Sequence, residues 1–299
     1  MSTDTKTPAS TEGQVEANKP RRQWGWLLIV PGMLYLVVFF LLPTIQLIGT
    51  SLYDPLGSFE YGYQMTWHFQ NYWDAIADNG RLFVRSFSYA AIVTVVCLAL
   101  SYPLAYAIAF KSGRWKNFML VLVIAPFFTS FLLRTLSWQA ILSDRGFVVE
   151  SLKSIGLLAP DGRLLATPFA VIAGLIYNFL PFMTLPIYAS LDKLDPRLIE
   201  ASSDLYSGPV TTLRKVTFPL SLAGVVSGTL LTFIPACGDY INAELLGTPK
   251  QYMIGNRIQQ AYLVEKDYPL AASLSLILML IVLAMVLLYI RRAGTEELV

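Results

Sequence analysis

Six long stretches of the chain are apolar and almost free of charge, and this feature constrains the fold more than any other. A helix needs about 20 mostly apolar residues to cross the hydrocarbon layer of a membrane. Five of the stretches contain no charged residue, and the sixth contains only Arg134. We therefore expect an all-α integral membrane protein with six transmembrane helices, at about 25–48, 86–110, 118–142, 167–191, 217–238 and 270–291.

The composition excludes several other classes of protein. The chain is 55% hydrophobic and 14% charged, whereas soluble domains are about 25% charged. A net charge of +2 without a large basic cluster argues against nucleic-acid binding. The single histidine, His68, argues against a zinc site, and two cysteines exclude a disulfide scaffold. The partner that this composition requires is a lipid bilayer.

The basic residues predict the orientation of the helices. Lysine and arginine are more frequent, per loop residue, in the segments on the N-terminal side of the membrane than in the longer loops on the other side. The positive-inside rule then places both termini in the cytoplasm. We expect a disordered cytoplasmic tail at 1–22, a transmembrane domain at 23–292, a cytoplasmic loop at 192–217 and a short cytoplasmic tail at 293–299.

The loop at 192–217 carries the signals of a helical hairpin. Asp195 is a suitable N-cap, and Pro196 suits the first helical position. We expect Gly208 to supply the left-handed residue after this helix and Pro209 to open a second helix. One side of the first helix is formed by Leu198, Ile199, Ser202 and Leu205. Such a hairpin either docks into a groove on a soluble partner or rests on the bilayer surface.

This loop resembles the EAA loop of the permeases of binding-protein-dependent ABC importers. That motif reads Glu-Ala-Ala, three residues, Gly, nine residues and then Ile-x-Leu-Pro. Glu200 and Ala201 match its start, Ser202 replaces the second alanine, and Pro219 falls at its end. The motif glycine falls on Tyr206, so we expect the turn to move to Gly208.

Three further segments resemble the same family, and two of them resemble its polyamine (spermidine/putrescine) branch. The first helix contains VPGMLYLVVFFLLPTIQLIGTSLYD. The polyamine resemblance rests on APFFTSFLLRTLSWQAIL and on GDYINAELLGTPKQYMIGNRIQQAYLVEKDYPLAASLS. Two alternatives remain open: the same architecture importing a sugar, ferric ion, phosphonate or other anion, and a stand-alone secondary transporter, which would not need an EAA-type hairpin.

The resemblance implies a type I ABC importer permease fold and a non-catalytic role in the bacterial plasma membrane. The sequence has no phosphate-binding G-x-x-x-x-G-K-[ST] loop, so no cofactor is expected on this chain, and ATP and Mg would bind a separate ATPase subunit. The implied partners are a second homologous permease, two ATPase subunits and an extracytoplasmic solute-binding protein. The residues implied in ATPase coupling are Asp195, Glu200, Ala201, Ser202, Leu205, Gly208 and Pro219.

Polar groups near or within the predicted spans are candidates for the substrate pathway, because such groups are costly in a membrane. Arg134 is either a gating charge or a structural ion-pair partner. Asp239 and Glu244 can attract a polyammonium substrate, pair with Arg134 or contact the binding protein. Asn178 lies among prolines that suggest helix kinks. Aromatic residues that either surround ammonium groups or simply pack are Trp138, Tyr177, Phe182 and Tyr240.

Gly224 and Gly228 form a small-xxx-small pair in the fifth predicted span. This spacing predicts close packing between helices. The second helix could belong to a partner subunit.

Overall fold

The structure, a computed structural model, describes residues 25–57 and 62–293. These residues are mostly helical and contain no β-strand, only an isolated antiparallel bridge between Tyr53 and Met65. The all-α prediction is therefore confirmed for this part of the chain. The α-helices, in chain order, are α1 (Gly25–Leu36), α2 (Leu42–Ser51), α3 (Gln70–Tyr106), α4 (Lys116–Ile124), α5 (Phe131–Leu142), α6 (Phe147–Ser154), α7 (Pro168–Asp192), α8 (Pro196–Asp204), α9 (Pro209–Thr212), α10 (Phe218–Leu220), α11 (Leu222–Cys237), α12 (Ile241–Leu246), α13 (Ile254–Gln259) and α14 (Tyr268–Ala293).

Four single helices are long and apolar enough to cross a membrane. They are Ile29–Ser51, Gln70–Lys111, Pro168–Asp192 and Tyr268–Arg292. Two bent pairs of helices also qualify, so the described residues hold four candidate spans, or six if each pair crosses as one. The tail predicted at 1–22 and residues 294–299 of the second predicted tail lie outside the described residues.

The N-terminal helix is continuous across a local change of helix type. α1 continues through a π-helical turn, Val37–Leu41, into α2. Pro43 has no N–H to donate to the carbonyl of Phe39, and a π-helical turn is one way in which a helix accommodates such a loss. Most of its apolar side chains are exposed in the isolated chain, as expected of a helix whose surroundings are lipid or another protein.

Three helices, α3, α7 and α11, pack against one another and form the core, and α14 packs on α3. Gly224 and Gly228 of α11 allow this approach. A Cβ at Gly224 would lie 2.6 Å from the carbonyl oxygen of Pro186, and one at Gly228 would lie 2.9 Å from the sulfur of Met183. The small-xxx-small pair therefore serves packing between α11 and α7 within this chain, and the interpretation as a partner interface is wrong.

Helix α3 begins at Gln70, well before the span expected from about residue 86. Along its first turns Ala75, Asn79 and Phe83 are buried at helical spacing, while Asp74 and Asp78 are exposed. This segment is an amphipathic helix. A search for charge-free stretches misses it because the charges lie on the solvent-facing side.

Two of the expected spans are bent in the structure. Helix α4 and a 3-10 turn, Ala125–Phe128, end at Thr129, whose backbone is extended, and α5 starts after a bend of 97°. The second bend, of 70°, separates α10 from α11 at Ser221. Pro126 lies in the turn before the first break and Pro219 just before the second, where each removes a backbone donor.

Candidate functional site

The loop between α7 and α10 forms a helical hairpin. Helix α8 begins at Pro196, and the side chain of Asp195 accepts a hydrogen bond of 3.0 Å from the backbone N–H of Arg197. The predicted start of this helix is therefore confirmed. Helix α9 packs back on α8, and the hydroxyl groups of Ser202 and Thr212 lie 2.9 Å apart across the hairpin.

The turn between the two helices does not use Gly208 as predicted. Tyr206 holds the left-handed conformation, with φ of 56°. The N–H of Ser207 donates to the carbonyl of Ser202 at 3.2 Å, which is the bond that closes a Schellman-type helix end. Gly208 is extended, with φ −67° and ψ 157°. The left-handed residue is therefore Tyr206, which stands at the position of the glycine in the EAA motif. The hydrogen bond that closes α8 fixes which residue must be left-handed.

The hairpin exposes a set of large apolar side chains. Leu205 is 81% exposed and Tyr206 is 99% exposed, and Leu198 and Val210 are exposed as well. Glu200, Ala201 and Pro219 are also exposed. Apolar groups on a short, well-defined element that protrudes from a protein are suited to a groove on a partner, since binding removes their surface from water.

A buried polar layer joins the helices at the opposite end of α11. Asn178 of α7 donates to the side-chain oxygens of Asn242 at 3.2 Å and Thr135 at 3.3 Å. Asn242 donates from its backbone N–H and from its side chain to the two carboxylate oxygens of Asp239, at 2.9 and 3.1 Å. All four side chains are buried. The layer ties α5, α7 and α12 together, so Asn178 has a structural role in this conformation.

Asp239 is the acidic member of this layer and lies just beyond the last residue of α11. Burial raises the pKa of its carboxyl group to about 6, although the hydrogen bonds from Asn242 act in the opposite direction. The carboxylate has no cationic partner among the described residues. It can therefore gain from a cation that reaches it, and its charge is sensitive to pH near neutrality.

Arg134 lies one turn into α5 and is 8% exposed. Its guanidinium carbon lies 5.6 Å from the centre of the Phe131 ring. Together with Trp138 and Tyr177 it lines a cavity of about 390 Å³ between α5 and α7. The predicted pairing of Arg134 with Asp239 or Glu244 is not formed: the described residues show no ion pair at Arg134.

The remaining pathway candidates have different surroundings. Trp138 and Tyr177 contact each other at the cavity, with ring centres 5.5 Å apart. Phe182 packs against Phe127 and Phe179, at 4.9 and 5.9 Å between ring centres. Tyr240 and Glu244 are exposed, and the carbonyl of Tyr240 accepts from the side chain of Asn256. Only two of these aromatic side chains therefore border the cavity beside Arg134.

Sequence reasoning missed three polar residues that organise this region. Thr135 and Asn242 complete the buried layer, and Ser221 accepts or donates a 2.9 Å hydrogen bond with the hydroxyl of Tyr102 at the bend before α11. The available signal was a polar residue within a predicted span, for Thr135 and Ser221, and just beyond one, for Asn242. Among the described residues there is also no cluster of three or more His, Cys, Asp or Glu side chains that could hold a metal ion.

Several long apolar helices, a core of packed helices and an exposed hairpin define a multi-pass membrane protein. The sequence model for "Binding-protein-dependent transport system inner membrane component" matches residues 101–293, and the chain belongs to this family. It is therefore a multi-pass protein of the bacterial inner membrane.

Relatives cover almost the whole chain. It is 35% identical over 266 residues to the spermidine/putrescine transport system permease protein PotB of Escherichia coli (strain K12), covering 88% of this chain and 96% of the relative. It is 32% identical over 258 residues to the protein of the same name from Haemophilus influenzae, covering 86% and 90%. Both relatives are permease subunits rather than ATPases by name.

Solved structures share the fold at low sequence identity. A chain of a bacterial ABC transporter involved in the import of the acidic polysaccharide alginate matches with a TM-score of 0.65 at 16% identity, over 90% of this chain and 94% of that one. A chain of the alginate transporter in complex with a periplasmic protein bound to an alginate pentasaccharide matches with a TM-score of 0.64 at 18% identity, over 92% and 98%. These matches show the ABC importer permease fold.

Proposed function

We propose that this chain is a permease subunit of an ABC importer for polyamines of the spermidine/putrescine class. The observation that carries the proposal is the 35% identity to a spermidine/putrescine permease over 96% of that relative. The alginate importer shares only the fold, and its substrate is a polyanion. The alternative substrates named above have no relative of comparable similarity among those described here.

The proposed topology has six membrane spans and both termini in the cytoplasm. In this arrangement each bent pair of helices crosses the membrane as one element. The excess of lysine and arginine on the side of the α8–α9 hairpin supports this orientation. The hairpin then faces the cytoplasm, and the buried polar layer around Asp239 lies toward the outer face.

The proposed assembly contains a second permease, two ATPase subunits and an extracytoplasmic solute-binding protein. ATP and Mg bind the ATPases. The exposed apolar side chains of the hairpin, above all Leu205 and Tyr206, support its docking on an ATPase subunit. The hairpin is short, capped at Asp195 and closed by the bond between Ser207 and Ser202, so a movement of the ATPase would be passed to the bundle without being absorbed by the loop.

The proposed pathway runs past Asp239. Its carboxylate is buried and has no cationic partner in the part of the chain that the structure describes, so an ammonium group that reached it would gain a strong electrostatic interaction. Tyr177 and Tyr240 are exposed and Trp138 is partly exposed, and the faces of such rings suit cation–π contacts with further ammonium groups. Phe182 packs against Phe127 and Phe179, and Glu244 carries an exposed negative charge in α12.

The test is uptake of labelled spermidine or putrescine in cells that lack the permease gene, with and without the gene restored and with the partner subunits present. We expect restored uptake that unlabelled polyamines inhibit and that sugars and anions do not. A control strain carries a variant of the hairpin that assembles but does not couple, such as Glu200→Lys. Restored uptake that sugars or anions inhibit equally well, or no restoration with normal membrane expression, would contradict the polyamine assignment.

A further inference from the structure

Arg134 is a buried cation that no acidic side chain among the described residues neutralises. Its Nε and Nη1 atoms are buried and have no hydrogen-bond acceptor. The ion pairs of the described residues join Lys116 to Asp192, Arg163 to Asp144 and Arg257 to Glu265. An uncompensated charge is costly in a low-dielectric environment, and a membrane increases that cost. A group outside the described residues is therefore expected to complete the site.

Asp239, the buried acid of the polar layer, already accepts hydrogen bonds from another residue. Both carboxylate oxygens of Asp239 accept hydrogen bonds from Asn242. Asn242 in turn contacts Thr135, the residue after Arg134, at 3.5 Å between their side-chain oxygens. The layer therefore holds the carboxylate of Asp239, while Arg134 lines the cavity formed with Trp138 and Tyr177.

The cavity can admit a side chain, and most of its lining is apolar. Its volume is about 390 Å³, and Ser137 and Thr129 add hydroxyl groups to its lining. Leu133 and Ile141 of the lining are exposed in the isolated chain. A fitting ligand must bring one anionic group to Arg134 and apolar surface to the rest of the lining. A carboxylate on an apolar helix has both properties, and its two oxygens match the fork of the guanidinium.

The position of Arg134 along the chain favours a protein group over a lipid headgroup. Helix α4 begins at Lys116, where Trp115 and Arg114 have the character of a membrane interface. About 20 Å of α-helix and 3-10 turn separate Lys116 from the break before α5. Seven residues of α5 then separate Arg134 from Leu142, the last residue of that helix. On the proposed topology the length of α4 and the 3-10 turn places the break before α5 within a hydrocarbon layer about 30 Å thick, and Arg134 follows directly after that break, which favours a side chain of a neighbouring helix over a headgroup as its partner.

We propose that the cavity beside Arg134 receives an aspartate or glutamate side chain from a membrane-spanning helix of the second permease subunit. The pair sets the register of the two permeases where they meet beside α5 and α7. This inference rests on the proposed function, because it requires the second permease. In this inference Arg134 is a positioning residue of the assembly. The acidic groups Asp239 and Glu244, rather than Arg134, attract the cationic substrate.

The test measures assembly rather than uptake. The chain, carrying an affinity tag, is co-expressed with the second permease and the ATPases, and the amount of second permease recovered per tagged chain is determined. We expect Arg134→Glu to lower recovery at least ten-fold. The matched control is Arg145→Glu, the same charge reversal at an exposed position just after α5, and it should stay within two-fold of the wild type.

Charge exchange then identifies the partner residue. In the Arg134→Glu background each aspartate and glutamate within the spans of the second permease is replaced by lysine, and one replacement should restore recovery to within two-fold of the wild type. A second route covers the case in which Arg134→Glu does not fold: Arg134→Met combined with replacement of the same acid by leucine should assemble, because two apolar groups leave no buried charge unpaired.

Three outcomes would overturn the inference. The first is normal assembly of Arg134→Glu. The second is the absence of any restoring exchange by either route. The third is a phospholipid bound to the wild-type chain in native mass spectrometry and lost in Arg134→Met, which would assign the site to lipid. A failure of the proposed function gives a different result. In that case the wild-type complex assembles and the charge exchange restores recovery, but the complex does not import polyamines, and the inference about Arg134 stands.

Discussion

Replacing Gly224 by alanine should destabilise the bundle, because α11 and α7 touch through backbone at this point. The new Cβ would lie 2.6 Å from the carbonyl oxygen of Pro186 and 2.6 Å from the Cβ of Ser190. Ordinary van der Waals contact is nearly an ångström longer, and a backbone carbonyl cannot rotate away. Overpacking of this kind costs about 1–3 kcal/mol, with the backbone obstacle favouring the upper end. Alanine's greater helix propensity returns at most about 1 kcal/mol, so a net loss of about 2 kcal/mol is expected.

The assay uses the two cysteines as built-in reporters of unfolding. Cys97 and Cys237 are fully buried, so a thiol-reactive dye reports their exposure as the detergent-solubilised protein is heated. At about 2–4 °C per kcal/mol, Gly224→Ala should lower the apparent Tm by roughly 4–8 °C. The matched control is Gly80→Ala in α3, where a Cβ would have no neighbour within 4 Å. There the same substitution should raise the apparent Tm by a few degrees.

The comparison of the two alanine variants decides the reasoning. If both raise the apparent Tm, the helices are not in backbone contact at Gly224 and the packing described for α7 and α11 is incorrect. If both lower it, alanine itself is harmful in this bundle and the steric argument loses its support. Only a decrease at Gly224 with an increase at Gly80 agrees with the structure.

Three further predictions concern the hairpin and the buried acid. Tyr206→Gly should stabilise the protein by about 1 kcal/mol and raise the apparent Tm, because glycine adopts a φ of 56° without strain. Tyr206→Ala keeps the backbone strain and should not raise the apparent Tm. An equal apparent Tm for the two variants would contradict the left-handed conformation at this position. Burial raises the pKa of the Asp239 carboxyl group to about 6, so this group is mostly charged at pH 7.5 and mostly neutral at pH 5. Polyamine uptake into proteoliposomes should therefore fall as the pH drops from 7.5 to 5, whereas Asp239→Asn should give low uptake with a flat pH profile. An equally steep profile in the variant would assign the titration to another group. Glu200→Lys should lower uptake at least ten-fold while ATP hydrolysis and membrane expression persist, and unchanged uptake would argue against coupling through the hairpin.

The sequence predicted the elements whose signals are local. The charge-free stretches gave the positions of the long apolar helices, and Asp195 with Pro196 gave the start of α8, which the hydrogen bond to Arg197 confirms. The start of α3 at Gln70 was missed because an amphipathic helix outside the membrane carries charge. The left-handed residue was assigned to Gly208 because glycine favours that conformation, but the closing bond of α8 placed it on Tyr206.

The candidate site depended on contacts between distant parts of the chain. Asn178 was recognised as a polar residue in an apolar helix, but its partners Thr135 and Asn242 lie 43 and 64 residues away in sequence. Spacing along one chain does not reveal such pairs. For the same reason the sequence offered Asp239 as a partner for Arg134, whereas the structure gives the carboxylate to Asn242.

The sequence by itself determined the class of the protein, its helical nature and the place of the hairpin, because the transfer of apolar residues into lipid and the capping of a helix are local properties. Only the tertiary structure decided that Gly224 and Gly228 serve packing within the chain, that four polar side chains form a buried hydrogen-bonded layer and that Arg134 has no anionic partner among the described residues. Those outcomes depend on which surfaces meet, since burial and hydrogen-bond pairing are set by three-dimensional neighbours rather than by neighbours in sequence.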